Sequence, residues 1–154
     1  MMLAVIRPSS WNPLLFVHVA GAIVLVALSI LAVFAVRKAL RAGDQPTTQF
    51  AFRLLLRGVL PAWIVMRVGA QLIADKEYPG SGHDPSWIGV GYSVSEGGLL
   101  LLLIALVLTG LAARTAKHGE PVQGAARLKA ASVLTYVLVL AYIGAIFAMT
   151  AKPA

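Results

Sequence analysis

The chain has no cysteine among its 154 residues. Without thiols it cannot form disulfides, iron–sulfur clusters, thiolate-ligated haem or zinc–cysteine sites, and it cannot use a thiol as nucleophile. The sequence also lacks a phosphate-binding loop, a nucleophile elbow and a zinc-protease helix. Any metal or cofactor would therefore need nitrogen, oxygen or thioether ligands.

Charge is scarce as well, at 12% of the residues, and only six side chains are acidic. Soluble globular domains carry about 25% charged residues. Hydrophobic residues make up 59% of the chain, and the mean hydropathy is +0.84. This composition indicates an integral membrane protein whose main partner is the lipid bilayer.

The net charge of +7 could suggest a nucleic-acid partner. The basic residues, however, cluster at the ends of apolar runs, where they act as topology determinants. We therefore expect no nucleic-acid binding.

Four apolar runs, each long enough to cross a bilayer, predict four transmembrane helices. Their approximate bounds are 14–36, 50–74, 88–113 and 128–149. Short connections between them, such as Gly43–Pro46, predict a single all-α domain over residues 1–154, an antiparallel four-helix bundle. Pro61 should distort the second helix, because proline removes a backbone donor and crowds the preceding turn.

The distribution of basic residues predicts the orientation. Nine of the 13 lysines and arginines flank the first and third connections: Arg37, Lys38, Arg41, Arg53, Arg57, Arg114, Lys117, Arg127 and Lys129. Only Arg7, Lys76 and Lys152 lie on the other side. The positive-inside rule then predicts a multi-pass membrane protein with both termini outside.

Arg67 interrupts the second predicted span, and a cation at that depth needs protein or water around it. Glu96 in the third span is its predicted partner. Counting about 1.5 Å per residue, His18, Arg67, Glu96 and Tyr142 all fall within the half of the membrane predicted to face outside, here called the outer half. We therefore predict that they meet in one pocket.

Helical spacing also predicts which residues face the bundle axis. The predicted stripes are His18, Gly21, Ala22, Leu25, Ser29 and Ala32 on the first helix; Trp63, Arg67, Ala70, Gln71 and Ala74 on the second; Gly89, Tyr92, Ser93, Glu96 and Leu100 on the third; and Ser132, Tyr136 or Thr135, Val139, Tyr142 and Met149 on the fourth. Gln71 and Tyr92 thereby join the candidate binding residues.

Each of these residues also has a structural interpretation. Arg67 and Glu96 could be an ion pair that only sets helix register. His18 could be a packing histidine that hydrogen-bonds across the bundle, or a ligand or proton carrier. Tyr92 and Tyr142 could be packing or interfacial aromatics.

The segment FVHVAGAIVLV, residues 16–26, resembles the opening helix of a group of small bacterial membrane proteins. The group includes copper-resistance protein D, the HemJ-type protoporphyrinogen oxidase and uncharacterised four-helix proteins. Later stretches, RVGAQ, DKE, DPSWIGVGY and AMTAKP, resemble the uncharacterised members most. The resemblance implies haem or porphyrin near His18, which would be the metal ligand. HemJ-type enzymes also use an intramembrane lysine, which the interior of these spans lacks, so a looser haem or metal association is implied.

Three functions follow as hypotheses. The first is a haem- or porphyrin-linked redox protein in which His18 ligates the iron, Arg67 pairs with a propionate, and Tyr142 or Met149 supplies a second ligand. The second is a non-catalytic structural or accessory subunit of a larger membrane complex, or a homo-oligomer. The third is a small transporter or proton relay that uses His18 and Glu96.

Overall fold

The computed structural model describes residues 12–77, 86–118 and 121–151, and nearly all of them are helical. The elements are α1 (Asn12–Ala42), α2 (Gln45–Leu54), a π-helical turn (Leu55–Val59), α3 (Leu60–Glu77), α4 (Ser86–Lys117) and α5 (Pro121–Ala151). The described part of the chain contains no strand. The predicted all-helical fold is therefore confirmed.

Three of these helices are long and apolar enough to cross a membrane, and they lie at Asn12–Ala42, Gly89–Lys117 and Gly124–Ala148. This supports the prediction of a membrane protein. The segment predicted as the second span, residues 50–74, is divided between α2, the π turn and α3. That it crosses the membrane stays a prediction.

The break predicted at Gly43–Pro46 is present but shorter, because Gly43 and Asp44 alone separate α1 from α2, and it has a well-defined cap. Gly43 adopts a positive φ of 64°, which glycine tolerates better than other residues. Asp44 caps α2 by accepting a hydrogen bond from the Thr47 amide at 2.9 Å, and the Thr47 hydroxyl donates to the same carboxylate oxygen. The cap starts the second helix at Gln45, five residues before the predicted span.

The hydrogen bonds from Thr47 also affect the ionisation of Asp44. The hydroxyl of Thr47, then its amide, and finally the positive charge of Lys38 lower the pKa of the Asp44 carboxyl below its ordinary value. Each of these contacts favours the charged carboxylate over the neutral acid.

The distortion predicted at Pro61 is a π-helical turn that lies directly before the proline. The Leu60 amide donates to the Leu55 carbonyl, five residues back, instead of to the residue four back. Pro61 has no amide hydrogen, and its ring would crowd the carbonyl of Arg57 in a regular α-helix. One widened turn accommodates this conflict without ending the helix.

The π turn also marks a change of neighbour. Before it, α2 packs against both α1 and α4; after it, α3 packs along α1 and approaches α4 at few points. Helix α5 packs along α4 and against α1. The seam between α3 and α4 is therefore the loosely packed one, and it lies in the half of the bundle away from the turn at Gly43.

Burial corrects some of the predicted stripes. On α1 the stripe is largely right, since Gly21, Leu25, Ser29 and Ala32 are buried. On α4 it is wrong: Gly89, Ser93, Glu96 and Leu100 are exposed, and the buried face is Gly91, Ser95, Gly98, Leu102, Ala105, Thr109 and Ala112. A helix this rich in leucine has little contrast between its faces, so periodicity could not assign the core side.

On the other two helices the prediction is partly right. Tyr142 and Ser132 of α5 are buried, and Thr135 rather than Tyr136 faces the core. The predicted stripe on α3 is only half-buried. Fully packed residues of the second helix, such as Ala51, Leu55 and Val59, lie earlier, in α2 and the π turn. The side chain of Met149 lies outside the described residues.

Candidate functional site

Helices α1 and α3 approach each other closely at a pair of glycines. A Cβ atom at Gly21 would lie 3.2 Å from the Cα of Met66, and one at Gly69 would lie 3.2 Å from the Cα of His18. Both distances are shorter than ordinary van der Waals contact with backbone. Small residues let membrane helices pack backbone against backbone, as they do here.

His18 lies at this crossing and bonds to the opposing backbone. Its Nδ1 is 3.1 Å from the carbonyl oxygen of Met66. Because a carbonyl only accepts, the contact assigns the proton to Nδ1 and leaves Nε2 as the free ring nitrogen. The hydrogen bond across the bundle that the structural interpretation of His18 predicted is thus present.

Arg67 points the other way, into the α3–α4 seam. It donates to the Gln71 side-chain oxygen at 2.9 Å, and the Tyr92 hydroxyl donates to the same oxygen at 3.2 Å. The guanidinium carbon lies 4.6 Å from the centroid of the Tyr92 ring. Arg67 Nη2 is 3.7 Å from Glu96 Oε1. Four of the predicted residues, Arg67, Gln71, Tyr92 and Glu96, therefore form one cluster.

Two further residues of α3 make polar contacts in this region: Asp75, which sequence analysis missed, and Trp63, which it placed on the same helical face as Arg67. Gln71 donates to Asp75 at 2.7 Å, and the spacing of 67, 71 and 75 on one helical face could have revealed this chain of contacts. Trp63 donates from its indole nitrogen to the backbone oxygen of Ser95 at 3.1 Å. Long polar side chains thus bridge a seam in which the two backbones stay apart.

Glu96 occupies the outside of this seam. Its side chain is 69% exposed, whereas that of Arg67 is 21% exposed. Glu96 is the eleventh residue of α4, about 15 Å from the helix start at ~1.5 Å per residue. The carboxylate therefore lies well inside a helix that is long and apolar enough to cross a membrane, and it points out of the bundle rather than toward the axis, where it was predicted.

The pocket predicted to unite His18, Arg67, Glu96 and Tyr142 is replaced by three separate sites of contact. His18 hydrogen-bonds to Met66, and Arg67 is the next residue after Met66. Consecutive residues of an α-helix point about 100° apart, so His18 and the side chain of Arg67 lie on different sides of α3. The common depth of the four residues in the membrane stays a prediction, whereas the direction in which each side chain points depends on the tilt and rotation that packing imposes on its helix. No contact joins His18 to the Arg67 cluster within the described residues.

Tyr142 lies in the third location, between α4 and α5. It is buried, and its ring fills the space beside Gly98, where a Cβ atom would lie only 2.9 Å from Tyr142 Cε1. The Tyr142 hydroxyl and the Ser95 hydroxyl are both buried without a hydrogen-bond partner among the described residues. Sequence analysis predicted Tyr142 as a site residue but missed the buried hydroxyl of Ser95.

Of the predicted haem ligands, His18 lies at the α1–α3 crossing and Tyr142 lies between α4 and α5, while the side chain of Met149 lies outside the described residues. His18 does offer Nε2 with Nδ1 bonded to a carbonyl, the arrangement usual for a metal-binding histidine. Arg67, however, is engaged on the α4 side of α3, away from His18. Among the residues described, no three of the His, Cys, Asp and Glu side chains are grouped to hold a metal.

Comparisons of the chain with protein-family models, with curated proteins and with solved structures gave no match. The resemblance to the copper-resistance protein D and HemJ group, and with it the haem association, stays a prediction. The assignment of function therefore depends on the physical chemistry of the contacts described above.

Proposed function

We propose that the chain is a non-catalytic subunit of a larger membrane assembly and that the outer half of α4 docks against a further transmembrane helix. The observation that carries this proposal is the exposed carboxylate of Glu96. A charged side chain in the centre of a membrane helix costs about 2.5–3.5 kcal/mol on insertion scales. Arg67 at 3.7 Å offsets part of this cost, but most of the Glu96 side chain stays uncovered.

The surface around Glu96 suits close packing of another helix. Gly89, Ser93 and Gly97 follow one another at four-residue intervals, and all are exposed. A Cβ atom at Gly89 or Gly97 would meet nothing within 4 Å, in contrast to Gly98 on the opposite side. Small residues at this spacing allow two helices to approach and place polar groups in contact. A partner helix would shield the carboxylate from lipid.

The proposed subunit is an antiparallel four-helix bundle of the bacterial plasma membrane, with both termini outside. Contacts between distant pairs support the antiparallel course. Gly98 near the middle of α4 meets Tyr142 in the second half of α5, while Thr115 near the end of α4 meets Gly124 near the start of α5. The orientation is supported by the nine basic residues at the opposite end of the bundle.

The other two hypotheses receive less support from this geometry. A haem site would need His18 and Arg67 on one side of α3, and they face different helices. A proton relay between His18 and Glu96 would have to pass from the α1 side of α3 to its α4 side. An optical spectrum of the purified protein tests the haem hypothesis, because ligation by His18 would produce a Soret band that His18→Ala abolishes.

Site-specific photo-crosslinking tests the proposed docking face. A photoreactive phenylalanine analogue placed at Ser93 should give one discrete adduct in native membranes. The same residue at Leu140, which is 67% exposed on α5, serves as the control and should give none. Glu96→Gln should weaken the Ser93 adduct while leaving the purified subunit folded. Equal adducts at both positions, or no adduct at Ser93, would reject α4 as the interface.

A further inference from the structure

At the opposite end of the bundle, the last two turns of α1 carry an open, basic groove. It measures about 580 Å³ and is lined by Phe34, Arg37, Lys38, Arg41 and Ala42. These residues share one helical face, since they follow the three- and four-residue spacing of a helix. Phe34 is 64% exposed and lies on the membrane side of the three cations.

One of these cations is held in place by a neighbouring helix. Arg37 donates from Nη1 to the hydroxyl of Tyr136 on α5, and its guanidinium carbon lies 5.6 Å from the centroid of that ring. Basic residues that only set topology need no such fixed geometry. The contact orders the guanidinium of Arg37, which still has other N–H donors for an anion.

Among the residues that the structure describes, the acidic neighbour of this group is Asp44, which acts on Lys38 from the following turn. Its carboxylate already accepts two hydrogen bonds from Thr47. Arg37 and Arg41 have no ion pair with an acidic side chain among the described residues. The groove therefore keeps a positive charge that needs an anionic partner.

From these features we infer that the groove binds the phosphate of an anionic phospholipid, with the acyl chains lying along Phe34. The groove is located where an apolar helix leaves the membrane, which is where lipid phosphates lie. Arginine recognises phosphate through paired N–H donors, and lysine contributes a point charge. A free anion would use the cations but would have no use for the exposed aromatic ring.

Native mass spectrometry of the detergent-solubilised protein tests this inference with phosphatidylglycerol and phosphatidylcholine as probes. The wild type should retain phosphatidylglycerol in preference to phosphatidylcholine. Combined Arg37→Gln, Lys38→Gln and Arg41→Gln substitutions should reduce its retention about 100-fold, taking roughly fivefold for each basic residue. A matched triple variant, Arg53→Gln with Arg57→Gln and Arg114→Gln, removes the same charge from exposed positions elsewhere at this end and should retain the lipid.

Equal losses in the two triple variants would overturn the inference, because retention would then follow net charge alone. Displacement of the lipid by millimolar inorganic phosphate would also overturn it, by assigning the groove to a free anion. Phe34→Ala should weaken lipid retention without changing helicity. If the triple variant does not fold, Arg41→Gln alone should lower retention about fivefold, and an unchanged value would reject the groove.

Discussion

Single residues decide how closely the helices of this bundle pack, and two adjacent glycines show it. Gly98 faces Tyr142, so Gly98→Ala would place a methyl group 2.9 Å from the tyrosine ring. Gly97 has nothing within 4 Å of its Cβ position. We expect Gly98→Ala to destabilise the purified protein by about 1–3 kcal/mol, as overpacking does, and Gly97→Ala to be neutral or slightly stabilising.

Unfolding in denaturant measures both variants, and Gly144→Ala on α5 is a second open control, since its Cβ position is also free. The double variant with Gly98→Ala and Tyr142→Phe shows whether the added methyl group clashes with the tyrosine ring or with its hydroxyl. Equal stability for Gly97→Ala and Gly98→Ala would contradict the described packing of Tyr142.

Arg67 and Glu96 form the second prediction at this scale. Glu96 is 69% exposed and 3.7 Å from Arg67, so the pair resembles a surface ion pair, for which coupling is about 0–1 kcal/mol. Arg67 also contacts Gln71 and Tyr92. Arg67→Met should therefore destabilise the solubilised protein more than Glu96→Gln.

A double-mutant cycle in detergent gives the coupling directly. A coupling of several kcal/mol would instead show a buried pair that fixes helix register.

At the scale of elements, the start of α2 depends on a charged cap. The pKa of Asp44 is lowered in the folded protein, so its contribution to stability is fully present above the ordinary value of 3.8 and declines as the pH falls through the lower, folded value. Asp44→Ala should therefore be less stable than the wild type at neutral pH, and the difference should shrink below about pH 4.

Unfolding of both proteins across pH 3–7 measures this difference. Thr47→Val removes the hydroxyl but keeps the amide, so it should show part of the same effect. If the stability difference between the wild type and Asp44→Ala grew as the pH fell, the hydrogen bonds to the Asp44 carboxylate would not be the cause of the stabilisation.

At the scale of the whole molecule, the division of basic residues predicts the orientation. Single cysteines can be introduced cleanly, because the chain has none. A cysteine at Gln45 should react with a membrane-impermeant maleimide only after the cells are opened. One at Ser81, which lies outside the described residues, should react from outside. The reverse pattern would place the Arg67 cluster in the inner half of the membrane.

Sequence alone determined the class of the molecule and most features that depend on neighbours in the chain. Composition and hydropathy indicated a membrane protein, and the Gly43–Pro46 signals located the first turn. Pro61 indicated the distorted stretch of the second helix, and Arg67 with Glu96 indicated one ion pair. The class, the turn and the distortion follow from the sequence because caps, proline effects and apolar run lengths act locally. The ion pair joins two helices, and it was predictable because Glu96 is the one acidic residue within the four predicted spans.

Only the tertiary structure decided the direction in which each polar residue points. His18 bonds to the Met66 backbone because Gly21 and Gly69 bring α1 and α3 together. Glu96 faces outward because, after the π turn, α3 packs along α1 and makes few contacts with α4. In helices that are apolar on every side, periodicity does not identify the buried face, so small residues and the irregular turn determine which surfaces meet.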